Sequence, residues 1–167
     1  MQRNKITNLI DRPNYKSEHL KTFQNANDII AALKRAELES RPTSDQLAKI
    51  FNDRDKMKVA KNVYLFLRDK ITYYAEPKTD QNAKTISRFL NDGVGDCKMF
   101  SVTSVGILNA CGVPCWFSFI GQMKGEKKPN HAYATCLIDG KFVTIDPCRD
   151  RFNSEAKYFY KWDVKRK

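Results

Sequence analysis

Three observations predict an α+β fold. Amphipathic helical patterns occupy residues 27 to 71, an almost wholly apolar run follows Gly93–Cys97, and two strand-like segments flank Asp139–Gly140. A chain of 167 residues has the length of one domain, and 41% hydrophobic residues suffice to close its core. Within that one compact unit we expect an N-terminal arm and helical extension at 1–56, a central core at 57–150 and a basic C-terminal tail at 151–167.

The elements follow in order. Residues 1 to 25 show no sustained period and read as an irregular lead-in. From Asn27, the residues Ile29, Ile30, Leu33 and Leu38 recur at helical spacing until Ser40-Arg41-Pro42. Thr43 stands three residues before Gln46, a capping-box arrangement, and Leu47, Ile50 and Phe51 supply the apolar face of a second helix. Met57, Ala60, Val63, Tyr64, Leu67 and Ile71 mark a third. Ile71 to Tyr74 turns extended, and Thr85 to Leu90 forms a short helix ending at Asn91-Asp92-Gly93. The run Lys98 to Ala110 has one charged residue, its first, so this helix must be buried. Gly112 and Pro114 end it, and Cys115 to Ile120 is a strand. Gly121 to Asn130 reads as a mobile basic loop.

His131 to Ile138 and Lys141 to Asp146 flank Asp139-Gly140, a strong short-range hairpin signal. A two-residue turn pairs Ile138 with Lys141, which sets Asp146 opposite Tyr133 and puts His131 on the same face, two positions along. Diagonal neighbours of this kind lie about 7–8 Å apart at the backbone, within reach of long side chains. A His and an Asp can meet there.

Lys and Arg number 30 against 19 Asp and Glu, a formal charge of +11 with a pI near 9.5, spread over both halves of the chain. Such a surface favours acidic partners. Nucleic acid is allowed but not favoured, because aromatic and basic residues do not interleave as in an RNA-binding motif, and the ending Lys165-Arg166-Lys167 reads as a solvated tail. No stretch approaches the ~18 consecutive apolar residues of a membrane span, and the N-terminus lacks the apolar segment of a secretory signal. A soluble, cytoplasmic protein is expected. The five cysteines, Cys97, Cys111, Cys115, Cys136 and Cys148, are then reduced thiols. With two His and one close Cys pair, no metal site and no cofactor are expected.

The chemistry-bearing residues are Cys97, His131 and Asp146. Cys97 opens the buried helix, where unpaired N–H groups and the helix dipole stabilise an anion. An imidazole beside it takes the thiol proton and returns it to a leaving amine, and a carboxylate orients the imidazole. The backbone N–H of Cys97 is placed to bind an oxyanion. Singly, each has a plainer reading: a packed thiol, a surface imidazole, a turn-forming Asp before Pro147. Jointly, the glycine-rich lead into a buried helix and the shared hairpin face are hard to explain as packing.

Gly95-Asp96-Cys97 before the helix, Leu108 to Pro114 (LNACGVP) before a strand, His131 opening another, and Thr144-Ile145-Asp146-Pro147 closing the hairpin together resemble the transglutaminase-like superfamily of papain-like cysteine enzymes. The resemblance covers about residues 57 to 150 and is similar in layout to small stand-alone members from bacteria and phages. It implies a core in which the Cys helix packs on an antiparallel sheet, a catalytic triad of Cys97, His131 and Asp146, and thioester chemistry on the amides of a protein or peptide. Large animal transglutaminases add β domains and calcium sites for which this chain has neither the length nor an acidic loop. Their oxyanion Trp has no counterpart in Trp116 or Trp162, so Gln81 is the candidate donor. Lys124, Lys127 and Lys128, just before His131, are candidates for binding an acidic substrate. Hydrolysis is favoured over crosslinking. The competing expectation is a catalytically silent module, such as a phage virion component or a nucleic-acid-associated protein. Oligomeric state is not legible.

Overall fold

The computed structural model describes residue 6 and residues 16–20, 25–125 and 128–165. In chain order the elements are β1 (Ser17–Leu20), α1 (Ala26–Glu39), α2 (Arg41–Phe51), α3 (Lys56–Lys70), β2 (Thr72–Tyr73), β3 (Gln81–Lys84), α4 (Ile86–Asp92), β4 (Val94–Gly95), α5 (Cys97–Ala110), β5 (Cys115–Gly121), β6 (His131–Ile138), β7 (Lys141–Ile145) and β8 (Tyr160–Val164). Most of the expected lead-in, at 1–5, 7–15 and 21–24, lies outside the described residues.

Three helices begin at side chains that satisfy an otherwise free amide. Asn25 accepts from Asp28 N at 3.0 Å, Asp55 from Lys58 N and Asp96 from Lys98 N, each at 3.1 Å. The second helix corrects the expected capping box. It starts at Arg41, so Thr43 lies inside it, because the fixed φ of Pro42 suits a first turn.

Helix α5 is the centre of the packing. Residues 98 to 108 are all buried, with α1, α2 and α3 on one side and β5 and β6 on the other. The core runs from Leu33, Leu47, Val63 and Leu67 through Phe89 and Phe100 to Phe117, Ala134 and Ile145. The mixed α+β class and the buried Cys-bearing helix on an antiparallel sheet are therefore as expected.

The main sheet has the order β7-β6-β5-β8, antiparallel throughout. Its hairpin turn places both Asp139 (φ 49°) and Gly140 (φ 73°) in the left-handed region, the signature of a type I′ turn whose twist matches the flanking strands. Ile138 pairs with Lys141 and Ala134 with Ile145, the register expected from the turn alone. Two features were not foreseen. Residues 160–164 were assigned to a basic tail but pair as β8 with β5, Phe119 opposite Trp162. Tyr160, Trp162 and Val164 alternate with Lys161 and Asp163, the period of a half-buried strand, and the free edge of β5 supplies its partner. Likewise Ser17–Leu20, in the expected lead-in, pairs antiparallel with β3.

Candidate active site

Three elements deliver Cys97. Strand β4 runs parallel to β2, with Thr72 opposite Val94 and Tyr73 opposite Gly95. A Cβ at Gly95 would stand 2.6 Å from Cε2 of the buried Phe89. Only a glycine lets β4 lie this close to α4. Asp96 then caps α5, and Cys97 is its first residue, where the backbone N–H has no acceptor within the helix. The thiol is partly exposed.

His131 opens β6, and Asp146 follows the last residue of β7. Continuing the observed register places Asp146 opposite Tyr133, with His131 diagonal to it. His131 Nε2 lies 2.7 Å from Asp146 Oδ2, the His side chain 14% and the Asp side chain 2% exposed. The second oxygen, Oδ1, accepts from Cys148 N at 3.2 Å. Tyr64 of α3 donates to Arg149 O at 2.6 Å and ties this turn to the helices. Both oxygens of Asp146 are thus committed, which fixes the plane of the carboxylate and with it the imidazole.

Burial alone would lower the His131 pKa. Hydrogen bonding of the ring to Asp146 and then Cys97, with the negative charges of both, outweighs it and pushes it up to about 10. Cys97 thus acts on the ring electrostatically, and Nδ1 is the ring nitrogen that Asp146 does not occupy.

Two further groups feel these charges, and no local sequence pattern marks either as part of the site. Burial, followed by the charges of Cys97, Cys148, Asp96 and Asp146, pushes the phenol of Tyr73 up to about 12. It is a neutral hydrogen-bond donor at physiological pH, half exposed, with its ring 6.3 Å from that of Phe100. Burial, with Asp146 and Cys97 beside it, also pushes the Cys148 thiol up. The sequence marks Cys148 only as one of five reduced thiols; the turn after β7 brings it within the electrostatic reach of Cys97. A visible signal for Tyr73 is its place in an extended segment, although the parallel pairing with β4 is not local.

Gln81 requires a correction. Its Nε2 donates to Glu76 O at 2.8 Å and Pro77 O at 2.9 Å, and its Oε1 accepts from Lys98 Nζ at 2.6 Å. Both amide hydrogens are consumed by loop carbonyls, so Gln81 acts as a tether. Lys98, 7% exposed, also pairs with Asp96 and, at 3.6 Å, with Glu76. A buried ammonium requires such partners. The single charge in an otherwise apolar helical run was the sequence signal for this cluster.

Lys124 and Lys128 are exposed on the loop that leads into His131, and Lys127 lies outside the described residues. The loop ends where Asn130 Oδ1 accepts from Gln122 N at 3.1 Å. Among the described residues, no group of three or more His, Cys, Asp or Glu converges as a metal site, and no helix is long and apolar enough to cross a membrane.

The candidate site thus has a thiol at a helix start, an imidazole at a strand start and a carboxylate just after the adjoining strand. The sequence profile of the transglutaminase-like superfamily matches residues 44–147, most of the chain, and the protein belongs to that superfamily. Among solved structures, a "putative protease" from Parabacteroides distasonis aligns with a TM-score of 0.59 at 15% identity over 75% of this chain. This chain spans only 27% of that protein. LapG from Legionella pneumophila aligns with a TM-score of 0.54 at 17% identity, covering 82% of this chain and 84% of LapG. Its calcium-bound form gives 0.55 at 17% identity, with 83% and 84% covered. At these identities the likeness is one of fold. No curated protein sequence matches the chain.

Proposed function

We propose that the protein is a cysteine-dependent amide or isopeptide hydrolase, acting on a protein or peptide through a thioester on Cys97. The observation that carries the reading is His131 Nε2 held 2.7 Å from the buried Asp146 Oδ2, in a ring whose pKa Asp146 and then Cys97 raise. A mostly covered imidazole fixed by a carboxylate, with a thiol acting on it, has little packing rationale, whereas it is what proton transfer from a thiol requires.

In this reading the thiol proton of Cys97 already resides on His131 in the resting ion pair, as the raised pKa of the ring requires, and the thiolate attacks the substrate carbonyl. Negative charge develops on the carbonyl oxygen, and the Cys97 N–H and the Tyr73 hydroxyl donate to it. His131 protonates the departing amine as the C–N bond breaks, leaving a thioester. Water, deprotonated by His131, attacks the thioester; the acid leaves and the thiol is restored. Asp146 orients the ring and stabilises its charged form throughout. Hydrolysis is preferred to amine transfer because water needs no second binding site.

Protease-like folds among the structural neighbours support a polypeptide substrate, and the +11 charge with Lys124, Lys127 and Lys128 shortly before His131 in sequence supports an acidic one. Joint neutralisation of the three lysines is expected to raise KM for acidic peptides and to flatten its salt dependence; an unchanged preference would remove that part of the reading.

The central test is trapping. A library of peptide amides quenched in acid should yield a mass adduct on Cys97 that is absent from Cys97→Ala. Iodoacetamide should label Cys97 ahead of Cys148, whose thiol burial disfavours. Uniform slow labelling of all five thiols, with no adduct, would instead indicate a silent module.

A further inference from the structure

Away from the active site, two other thiols face each other in the core. Cys115 begins β5 and Cys136 lies near the end of β6, directly opposite in the register. Their sulfurs are 3.0 Å apart, and the residues are 2% and 0% exposed. The backbone makes this a particular kind of pair. Leu137 N–H donates to Pro114 O at 2.9 Å, so Pro114 and Leu137 form a hydrogen-bonded pair. Pairs alternate along an antiparallel ladder, which makes Cys115 and Cys136 a non-hydrogen-bonded pair. In such pairs the Cα atoms lie about 4.5 Å apart, inside the range of roughly 4.4–6.8 Å that a disulfide spans. Asn109 fixes one end of the bridge: its Oδ1 accepts from Cys115 N at 3.2 Å and its Nδ2 donates to Cys115 O at 2.8 Å.

We propose that Cys115 and Cys136 close a cross-strand disulfide when the chain folds in the presence of a small-molecule disulfide such as oxidised glutathione. One thiolate attacks glutathione disulfide and releases one glutathione; the second attacks the mixed disulfide and releases the other. One protein S–S bond forms, one glutathione S–S bond is cleaved, and two protons and two electrons pass to the two glutathione thiols. Exchange takes place before β5 and β6 are sealed, because burial shields both sulfurs and pushes the Cys115 thiol up in the folded protein. The same shielding protects the finished bridge from reductant. Three thiols, Cys97, Cys111 and Cys148, stay free, so the bridge is independent of the proposed catalytic chemistry. It clamps the strand that starts at His131 to its neighbour.

The test uses the whole chain, unfolded in denaturant and refolded with oxidised and reduced glutathione. After brief mild reduction to strip accessible mixed disulfides, the protein is denatured, alkylated and peptide-mapped. The expected result is three alkylated thiols, a loss of two mass units from the chain before alkylation, and one crosslinked peptide pair containing Cys115 and Cys136. The bridged form should melt about 5–10 °C above the reduced form. Five alkylated thiols, or a crosslink involving Cys97 or Cys148, would overturn the proposal. Cys97→Ser provides a second substrate for the same mapping, free of nucleophile side reactions, and must give the same crosslink.

Discussion

Asp96 and Lys98 form an ion pair inside the protein, one residue to either side of Cys97. The pair closes under the first turn of α5, where Lys98 also holds Gln81 and Glu76. It joins the start of α5 to the β3 segment, at a depth where neither charge can stand alone.

Replacing Lys98 by Met should therefore destabilise the fold by about 3–5 kcal/mol, the usual penalty for stranding one member of a buried pair. Urea unfolding followed by tryptophan fluorescence measures it. A loss under 1 kcal/mol would show that Asp96 and Glu76 find other partners or water.

The imidazole can be watched directly, because the chain has only two His residues and His19 is an exposed partner of Asp80. His131 should titrate near 10 by NMR, and its pKa should fall in Asp146→Asn. Turnover in that variant should fall by about 10²–10⁴-fold, since an amide favours the wrong tautomer of the ring and no longer stabilises its charged form. A His131 that titrates at its ordinary value in the wild type would remove the basis of the assignment.

The same shift sets a stability profile. The His131 pKa in the fold lies above its unfolded value of ~6.5, so the protonated ring binds its partners best in the native state. Its contribution is complete below about pH 6.5 and is lost as pH rises towards 10. His131→Gln should flatten that alkaline slope in thermal melts across pH 6 to 10.

Tyr73→Phe removes one hydroxyl and keeps the ring against Phe100. If the phenol serves the oxyanion, kcat falls by about 10²-fold with little change in KM, as for loss of one donor from such a site. Alkylation of Cys97 should continue, because that reaction develops no oxyanion. Equal loss in both assays would mean that Tyr73 acts on the thiol.

Gly95→Ala pushes a methyl into Phe89, with a cost of about 1–3 kcal/mol for overpacking. Shortening the ring with Phe89→Leu should recover part of the stability in the double variant. The absence of any coupling between the two would show that β4 moves instead.

Much of the site was legible from local signals. The Asp139-Gly140 turn dictates a register, the register puts His131 and Asp146 on one face, and the apolar run after Cys97 demands a buried helix with that thiol at its start. Each of these follows from interactions among residues close in sequence, which is where turn chemistry, capping and side-chain periodicity act. The tertiary structure alone decided the rest: the open edge of β5 became the partner of the alternating segment 160–164, Gln81 was claimed by Lys98 and two carbonyls, and Tyr73 and Cys148 were brought within the electrostatic reach of Cys97. It also brought Cys115 against Cys136. Those outcomes depend on which distant groups compete for each hydrogen bond and each buried charge. That competition is settled only when the chain has closed around α5.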